Sequence, residues 1–440
     1  MANPFVSVIN LGCRVNRVES DRMERELARA GLTLVDPDDA ELIVINTCAV
    51  TGEAEAKTRK AVRHALGRAR HPYVLATGCA AALHPESLCE ISDRVFVEPS
   101  KVGVARRALQ ALGYEAVSTH RRAAHDAPAG EQPPRRARAG VKIQDGCNNR
   151  CTYCIVWKAR GPERSVPVAA VLDEVRAVCA EGLPEVVLTG VNLGAYDGAD
   201  ERDAHVEIDE LIERILRDTP IPQVRLSSIE PMDVTDRLIE RVAASDGRVA
   251  PFFHLPVQSG CTRTLERMGR PYTAEEFEAL CDRIRAALPA ASPSCDLIVG
   301  FPGETDEDFE ASLSLCERVG FARMHVFRYS ARPGTPAATM PDQVPPEVMA
   351  ERSHRARELA ARLAHADAAR RIGTRERAVI EEGRRGTLAS FHRVEVDGLE
   401  EAGVSAPALV EVAIMEVSAS GLVRARLVPD ATVPFSCKGA

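Results

Sequence analysis

The chain has 440 residues, enough for two or three domains with sizeable cores. Its 45% hydrophobic and 27% charged residues are typical of a globular protein, and a net charge of −8 excludes a protein that is basic all over. The start lacks the features of a signal peptide, and no apolar stretch approaches the roughly 20 residues that span a membrane. We therefore expect a cytoplasmic protein without membrane contact, whose 13 cysteines are metal ligands or buried thiols rather than disulfides.

The first part of the chain alternates strand and helix patterns. Short apolar runs rich in β-branched residues, typical of buried parallel strands, occur at 4–10, 41–47 and 72–77. Helical patterns between them cover 19–30 and 53–70. Residues 1–117 are therefore predicted to form a doubly wound α/β domain.

A stretch at 118–139, rich in Pro, Gly and Arg, is interpreted as a linker. Strand patterns then recur with helical patterns between them, at 141–145, 185–190, 223–228, 252–257, 294–300 and 323–330. This succession predicts a partial (βα)6 barrel over 140–371, which ends in a long helix and carries its chemistry at the carboxyl ends of the strands. Residues 372–440, with short strands and glycine turns, are predicted to form a small β-barrel.

A CxxxCxxC motif, made of Cys147, Cys151 and Cys154, follows the first barrel strand. Cysteine thiolates are the usual ligands of iron–sulfur clusters, and three ligands leave one iron of a 4Fe-4S cluster open. S-adenosylmethionine (SAM) can chelate that iron, and one electron then cleaves its sulfonium to give a 5′-deoxyadenosyl radical. A zinc site is the alternative, although zinc usually takes four ligands in paired spacing. The motif therefore predicts a radical-SAM site with these cysteines as its catalytic cluster ligands.

Small and polar residues at the ends of the other barrel strands are predicted to contact SAM. Glycine lets the cofactor approach the backbone, while hydroxyl and amide groups offer it hydrogen bonds. The predicted contacts are Thr189, Gly190, Asn192, Ser227 and Gln258. For each of them a solvated loop residue is the alternative, and His254, inside an apolar strand, is interpreted as a core histidine.

Three further cysteines, Cys13, Cys48 and Cys79, each follow a predicted strand of the first domain. Because the carboxyl ends of parallel strands lie on one edge of a sheet, these cysteines should converge there. Simple burial of free cysteines is the alternative. Convergence of the three predicts a second cluster with an open iron.

The segments LGCRVN, NTCAVT and TGC, with QDGCNNRCTYCIV, SSIEP, HLPVQSG and DLIVGFPGET, resemble the methylthiotransferases of the radical-SAM superfamily over nearly the whole chain. The resemblance implies an amino-terminal cluster domain, a radical-SAM barrel and a carboxy-terminal TRAM-like β-barrel that binds the substrate. It assigns the first cysteine trio to an auxiliary cluster and the CxxxCxxC trio to the radical-SAM cluster. The implied cofactors are therefore two 4Fe-4S clusters and SAM. Replacement of a carbon-bound hydrogen by a methylthio group also implies an electron donor and a sulfur source.

Within this family the segments around both trios are most similar to the MtaB type, which acts on N6-threonylcarbamoyladenosine at position 37 in the anticodon loop of tRNA. The resemblance thus implies transfer of a methylthio group to carbon 2 of that base. We also expect the protein to be a monomer. The alternatives are action on isopentenyladenosine in tRNA (MiaB type) or on ribosomal protein S12 (RimO type), which usually has Pro-Lys where Arg14 and Val15 stand. A non-catalytic protein on the same scaffold is disfavoured by the intact CxxxCxxC motif. A threonylcarbamoyl carboxylate needs a cation in its pocket, and the candidates are Arg14, Arg17, Arg160 and Arg328.

RNA contacts are predicted in two places. One is a phosphate-binding patch on the long helix and the junction after it, formed by Arg352, Arg355, Arg357, Arg362, Arg370, Arg371, Arg375 and Arg377. A solvated helix held by ion pairs is the alternative. The other place is the cluster of Phe391, His392 and Arg393, which is suited to stacking on bases. The single tryptophan, Trp157, is expected either to pack over the cluster or to fill the core.

Overall fold

A computed structural model describes residues 4–114 and 136–432 of the chain. Most of the linker predicted at 118–139 lies outside the described residues, and its last two residues, Arg138 and Ala139, belong to a strand. Within the described ranges, no helix combines the length and the apolar character needed to cross a bilayer.

The amino-terminal part is a five-stranded parallel sheet in the order β2-β1-β3-β4-β5. Its strands are β1 (Phe5–Asn10), β2 (Thr33–Leu34), β3 (Leu42–Thr47), β4 (Tyr73–Gly78) and β5 (Val95–Val97). Its helices are α1 (Arg14–Arg29), α2 (Gly52–Leu66), α3 (Cys79–Leu83), α4 (Pro85–Cys89) and α5 (Val104–Ala111). Alternate residues of β3 feed two apolar cores, with Val44 facing α1 and α5 and Ile43 facing α2. The predicted doubly wound architecture is confirmed, although α1 begins five residues before the predicted start.

The central part is a partial barrel of parallel strands. Its strands, with the short hairpins between them, are β6 (Arg138–Lys142), β7 (Gln144–Asp145), β8 (Arg164–Ser165), β9 (Glu185–Thr189), β10 (Asp197–Ala199), β11 (His205–Glu207), β12 (Gln223–Leu226), β13 (Phe252–His254), β14 (Ser292–Val299) and β15 (Arg323–Arg328). Two parallel sheets, β12-β9-β6 and β13-β14-β15, are joined by a bridge between Ser228 and His254. The predicted six-stranded partial barrel is therefore confirmed.

Helices cover the outside of these strands and bury one large apolar core. They are α6 (Val156–Arg160), α7 (Val168–Ala180), α8 (Ile208–Asp218), α9 (Asp236–Ala243), α10 (Thr262–Met268), α11 (Ala274–Ala287), α12 (Asp306–Val319) and α13 (Pro346–Ala369). Four of them, α6, α8, α9 and α10, were not predicted. All four are short, and α8 and α9 bury residues such as Leu211 and Leu238, so packing on the barrel stabilises those two.

The carboxy-terminal part is a closed five-stranded barrel in the order β16-β17-β18-β20-β19, as predicted in outline. Its strands are β16 (Arg375–Glu382), β17 (Arg385–Leu388), β18 (Arg393–Asp397), β19 (Ala408–Val417) and β20 (Val423–Thr432). The loop between β17 and β18 reaches the central barrel, where the ring of Phe391 stacks on Phe252 with centroids 4.6 Å apart. The small barrel therefore contributes to the interior of the larger one.

Candidate active site

Both cysteine trios line one cavity of about 490 Å³ where the amino-terminal sheet meets the central barrel. The cysteines on its wall are Cys13, Cys48, Cys79, Cys147, Cys151 and Cys154. Sequence patterns placed each trio at strand ends, but only the folded chain shows that the two sets face the same space.

The amino-terminal trio follows three neighbouring strands. Cys13 caps α1 after β1, Cys48 follows β3, and Cys79 is the first residue of α3 after β4. Pairing of Asn10 with Asn46 and of Thr47 with Gly78 aligns these strand ends at one edge of the sheet. The predicted convergence of the three cysteines therefore follows from parallel register.

Two glycines allow the loops to come this close. A Cβ atom on Gly12 would lie 2.8 Å from Cys48 Sγ, and one on Gly78 would lie 2.6 Å from the Thr47 carbonyl oxygen. Both glycines also have φ values near +100° (+102° and +91°), a region that L-residues rarely adopt. Any side chain at either position would push the cysteine loops apart.

Hydrogen bonds lock the three loops together below the thiols. Asn16 Nδ2 donates to the carbonyl oxygens of Leu11 at 2.8 Å and of Thr47 at 2.9 Å. The hydroxyl of Thr47 accepts bonds from the backbone N–H groups of Ala80 and Ala81, both at 3.1 Å. These bonds give the cysteines a preorganised frame, and sequence reasoning did not identify Asn16 or Thr47.

The central trio lies in the loop between β7 and α6. Thr152 fixes this loop to the end of α10, because its hydroxyl donates to the Arg267 carbonyl and its N–H to the Met268 carbonyl. Buried Arg270 donates to Cys151 Sγ at 3.2 Å and forms an ion pair with Glu230. This hydrogen bond fixes the position of the Cys151 sulfur at the cavity wall. No motif in the sequence marks Arg270 for this position.

The number of thiols argues against a structural zinc ion at either trio. Structural zinc usually takes four protein ligands, and each trio offers three thiols. A 4Fe-4S cluster needs one thiolate for each iron it binds through, so three cysteines hold the cluster and leave one iron open.

Burial raises the pKa of the Cys147 thiol to about 11 and that of Cys154 to about 12. Burial also raises the pKa of Cys48, and nearby Cys13 and Cys79 add to this effect. At neutral pH these thiols would carry protons unless a cation replaced them, and metal binding to a thiol releases its proton. The residues present therefore fit iron–sulfur clusters, whose iron supplies that positive charge.

Four of the five predicted SAM contacts lie on the cavity wall, namely Thr189, Gly190, Ser227 and Gln258. The hydroxyl of Ser227 is buried without a hydrogen-bond partner among the described residues, so it can bond a ligand. Asn192 is turned toward Glu163, to which its Nδ2 donates at 3.3 Å.

The far wall of the cavity is formed by β13, β14 and β15. His254 lies on it with both ring nitrogens engaged, Nδ1 with Ser294 Oγ at 2.8 Å and Nε2 with Asp296 at 3.3 Å, so it is a hydrogen-bonded histidine at the cavity wall rather than deep in the core. Next to it, burial and the charge of Arg323 lower the pKa of His325. Since Arg323 and Arg14 lie close by, a metal cation among these side chains would be repelled.

The predicted RNA-contacting residues are largely engaged within the protein. Six of the eight patch arginines have carboxylate partners, and these are Arg352, Arg355, Arg362, Arg370, Arg371 and Arg375. Ion pairing therefore dominates this helix. Asp367 of α13 pairs at i+3 and i+4, whereas the carboxylates of α12 are partners that single-helix spacing does not reveal. His392 is buried and contacts Asp367 at 2.8 Å, and Phe391 lines the cavity, so neither forms part of an outer RNA-stacking surface.

Trp157 is partly exposed and lies between two cations. The guanidinium carbon of Arg150 is 4.5 Å from its ring centroid and Lys158 Nζ is 5.1 Å away. Cation–π contacts of this kind hold the indole at the surface of α6. The ring therefore does not fill the core.

A CxxxCxxC loop after the first strand of a partial parallel barrel defines the class of radical-SAM proteins. Consistent with this, residues 141–316 match the Radical SAM superfamily, and residues 6–97 match the uncharacterized protein family UPF0004. The fold is similar to that of the radical S-adenosylmethionine methyltransferase TsrM from Kitasatospora setae, with a TM-score of 0.54 over 76% of this chain and 77% of that chain. At 16% identity, this likeness concerns the fold alone.

Proteins related by sequence identify the family more narrowly than the fold does. The chain is 35% identical to the threonylcarbamoyladenosine tRNA methylthiotransferase MtaB of Thermotoga maritima over 91% of this chain and 96% of that protein. It is 37% identical to the tRNA-2-methylthio-N(6)-dimethylallyladenosine synthase of Novosphingobium aromaticivorans over 79% of this chain and 80% of that protein. The chain therefore belongs to the radical-SAM tRNA methylthiotransferase family. Membership implies a 4Fe-4S cluster and SAM.

Proposed function

We propose that the protein transfers a methylthio group to carbon 2 of N6-threonylcarbamoyladenosine at position 37, in the anticodon loop of tRNA. The observation that carries the proposal is that both cysteine trios line one cavity. Hydrogen removal and carbon–sulfur bond formation must occur at the same carbon atom, so the two sulfur sites must reach one bound base. A shared cavity meets that requirement.

The chemistry at carbon 2 calls for a radical. Its C–H bond is unactivated, and no side-chain acid or base could usefully deprotonate it. When bound, the cluster and SAM supply the radical that removes this hydrogen. The protein must therefore hold the base, exclude water and keep both sulfur sites in place.

The proposal gives each wall residue a task. Cys147, Cys151 and Cys154 hold the SAM-binding cluster, and Arg270 positions the sulfur of Cys151 by donating a hydrogen bond to it. The neighbouring residues Thr189, Gly190, Ser227 and Gln258 contact SAM. The second trio, Cys13, Cys48 and Cys79, holds an auxiliary 4Fe-4S cluster, which is the site of the transferred sulfur.

The proposal also assigns the parts of the chain. Residues 1–117 are the auxiliary-cluster domain, 140–371 the radical-SAM domain and 372–440 a TRAM-like barrel that binds tRNA. Support for the threonylcarbamoyl substrate comes from the MtaB relatives, since the Thermotoga maritima protein aligns over 91% of this chain. Polar side chains on the far wall, such as His254 and His325, also suit a polar substituent better than an isopentenyl group.

The test is substrate choice by anaerobically reconstituted enzyme. It should be offered tRNA bearing threonylcarbamoyladenosine, tRNA bearing isopentenyladenosine, and ribosomal protein S12, with an electron donor and a sulfur source. Nucleoside and peptide mass spectrometry should find the methylthio product on the first substrate. Product on either of the others, with none on the first, would overturn the substrate but keep the reaction class.

A further inference from the structure

Four arginines surround the ring of Phe391 on the cavity wall. The guanidinium carbons of Arg14, Arg138, Arg225 and Arg323 lie 5.5, 5.4, 5.2 and 5.3 Å from the ring centroid. Attraction to one aromatic face does not offset the mutual repulsion of four cations, so each guanidinium needs a counter-charge.

Two of the four have such a partner. Arg225 forms a fully buried ion pair with Glu185, at 3.0 Å, and also donates to backbone carbonyls of the β17–β18 loop. Arg138 is bound to Glu381 at 3.1 Å. These two arginines are therefore engaged in holding the small barrel against the large one.

The other two, Arg14 and Arg323, here called the arginine pair, have no carboxylate within ion-pair distance among residues 4–114 and 136–432. Both side chains are exposed and line the cavity. Arg14 directly follows Cys13, while Arg323 begins β15. The pair is therefore open to a ligand within the cavity.

The carboxylates on the same wall do not form ion pairs with Arg14 or Arg323. Glu230 is taken by Arg270, and Asp296 contacts Nε2 of His254 at 3.3 Å. Among the described residues that line the cavity, both carboxylates therefore have partners, whereas Arg14 and Arg323 have no carboxylate partner. A bound anion would complete the charge balance of the cavity.

We propose that the arginine pair binds the carboxylate of the threonylcarbamoyl group, an inference that rests on the proposed function. A guanidinium matches a carboxylate through two parallel N–H donors. The cavity also has the required depth. Arg323 and Phe327 both line it, and they are four residues apart on β15, a span of about 13 Å. The carboxylate is held beside Phe391 while the base lies nearer the cysteines.

The other arginines that the sequence offered as carboxylate-binding residues do not fit this role. Arg160 lines the cavity but is bound to Glu19 and Asp145, both at 2.9 Å. Arg17 and Arg328 are absent from the described wall of the cavity. Only the folded chain adds Arg323, which carries no motif.

The experiment measures binding to cluster-loaded enzyme without SAM, so that no turnover occurs. The probes are two fluorescent anticodon stem-loops, one with threonylcarbamoyladenosine and one with its carboxylate methyl ester. Both carry the same phosphates, so their affinity ratio reports the carboxylate alone. A charge-assisted hydrogen bond is worth about 1.5–3 kcal/mol, and the wild type should prefer the free acid by about tenfold or more.

Arg14→Gln and Arg323→Gln should each reduce this preference, and the double variant should bring the ratio close to one. Arg323→Lys, which keeps the charge, should retain part of it. The control is Arg202→Gln, which removes an exposed charge between β10 and β11 and should leave the ratio unchanged. Iron content shows whether each variant remains loaded.

Equal affinity of the wild type for the two probes would overturn the inference, as would an unchanged ratio in the double variant. Should Arg14→Gln lose iron, Arg323→Gln and Arg323→Lys alone decide, because Arg323 is exposed and lies away from the cysteines in sequence. The proposed function is judged separately, by methylthio product on tRNA bearing threonylcarbamoyladenosine. Product formation without any preference for the free acid would leave that function standing and reject the arginine pair.

Discussion

Arg160 donates a hydrogen bond to Asn16, with 2.7 Å between Nη2 and Oδ1. Asn16 lies three residues after Cys13 and Arg160 six residues after Cys154, so the bond connects the loops that carry the two trios. The same guanidinium is bound to Glu19 of the first domain and to Asp145 of the central barrel. Although burial opposes it, the charge of Arg160 helps lower the pKa of Glu19 to about 2. Arg160 therefore holds the two cysteine sets in a fixed relative position.

The first prediction concerns this link. Arg160→Gln should lower the free energy of unfolding by about 3 kcal/mol, because Asp145 and Glu19 lose a buried partner. It should also reduce methylthio product more than 5′-deoxyadenosine formation, because the trios lose their alignment. Urea unfolding and product analysis measure the two effects. The control is Arg164→Gln, an exposed neighbour 3.3 Å from Asp145, which should cost less than about 1 kcal/mol. Equal effects of the two substitutions would contradict the linking role.

The second prediction separates the two trios. Cys147→Ala should abolish 5′-deoxyadenosine formation from SAM, because the open-iron cluster cannot assemble. Cys48→Ala should leave that reaction measurable but eliminate methylthio product, and its iron content should fall by about half. Cys89→Ala, an exposed cysteine of α4, is the matched control and should retain both products. Full methylthiolation by Cys48→Ala would show that the first trio holds no required cluster.

The third prediction is a pH dependence at the junction of α13 with the small barrel. Asp367 accepts bonds from His392 and Arg371. Burial raises the pKa of this carboxyl, but His392, Arg371 and Arg370 outweigh burial and hold it well below its usual range. A carboxyl whose pKa is lower in the folded state than in the unfolded state stabilises the folded protein. This stabilisation is complete above the unfolded-state pKa of about 4, and it is lost as the pH falls below that value.

Asp367→Asn should therefore destabilise the protein by about 2 kcal/mol at pH 7, because buried Arg371 loses one of its two carboxylate partners and keeps only Glu376. The difference from the wild type should shrink as the pH falls below 4. Unfolding midpoints at pH 7, 5 and 3.5 test this. The control is Glu358→Gln, which removes the charge of an exposed carboxylate on the same helix and should have little effect on stability at any pH. A constant difference down to pH 3.5 would contradict the assigned role of the carboxylate.

The fourth prediction concerns the part of the small barrel that reaches the cavity. Phe391→Ala should lower the free energy of unfolding by about 2 kcal/mol, less than for a fully buried phenylalanine because this ring is partly exposed. It should also weaken binding of the anticodon stem-loop, because Phe391 forms part of the cavity wall. Met415→Ala, an exposed residue of the same barrel, should change neither quantity. If Phe391→Ala were as stable as the wild type, the stacking of Phe391 on Phe252 would make no contribution to stability.

The sequence alone determined the longer buried strands and where the cysteines fall relative to them, but not the two- and three-residue strands β2 and β5. Apolar runs such as 42–47 are buried on both sides of a parallel sheet, so their composition is sufficient to predict them. Since parallel strands end at one edge, the convergence of Cys13, Cys48 and Cys79 also followed. These predictions succeed because a strand and the residue that follows it are neighbours along the chain, so the local sequence contains the information needed.

Only the tertiary structure decided which charged side chains have an ion-pair partner and which are open to a ligand. In the sequence, Arg352 and Arg323 look alike, yet Arg352 is buried against Glu304 while Arg323 is open to the cavity. It also placed Phe391 on Phe252, across more than one hundred residues of chain. Such contacts depend on how separate domains pack, and an arginine's partner can come from any of them. No local pattern contains that information, because charge pairing and cavity walls arise when distant segments meet.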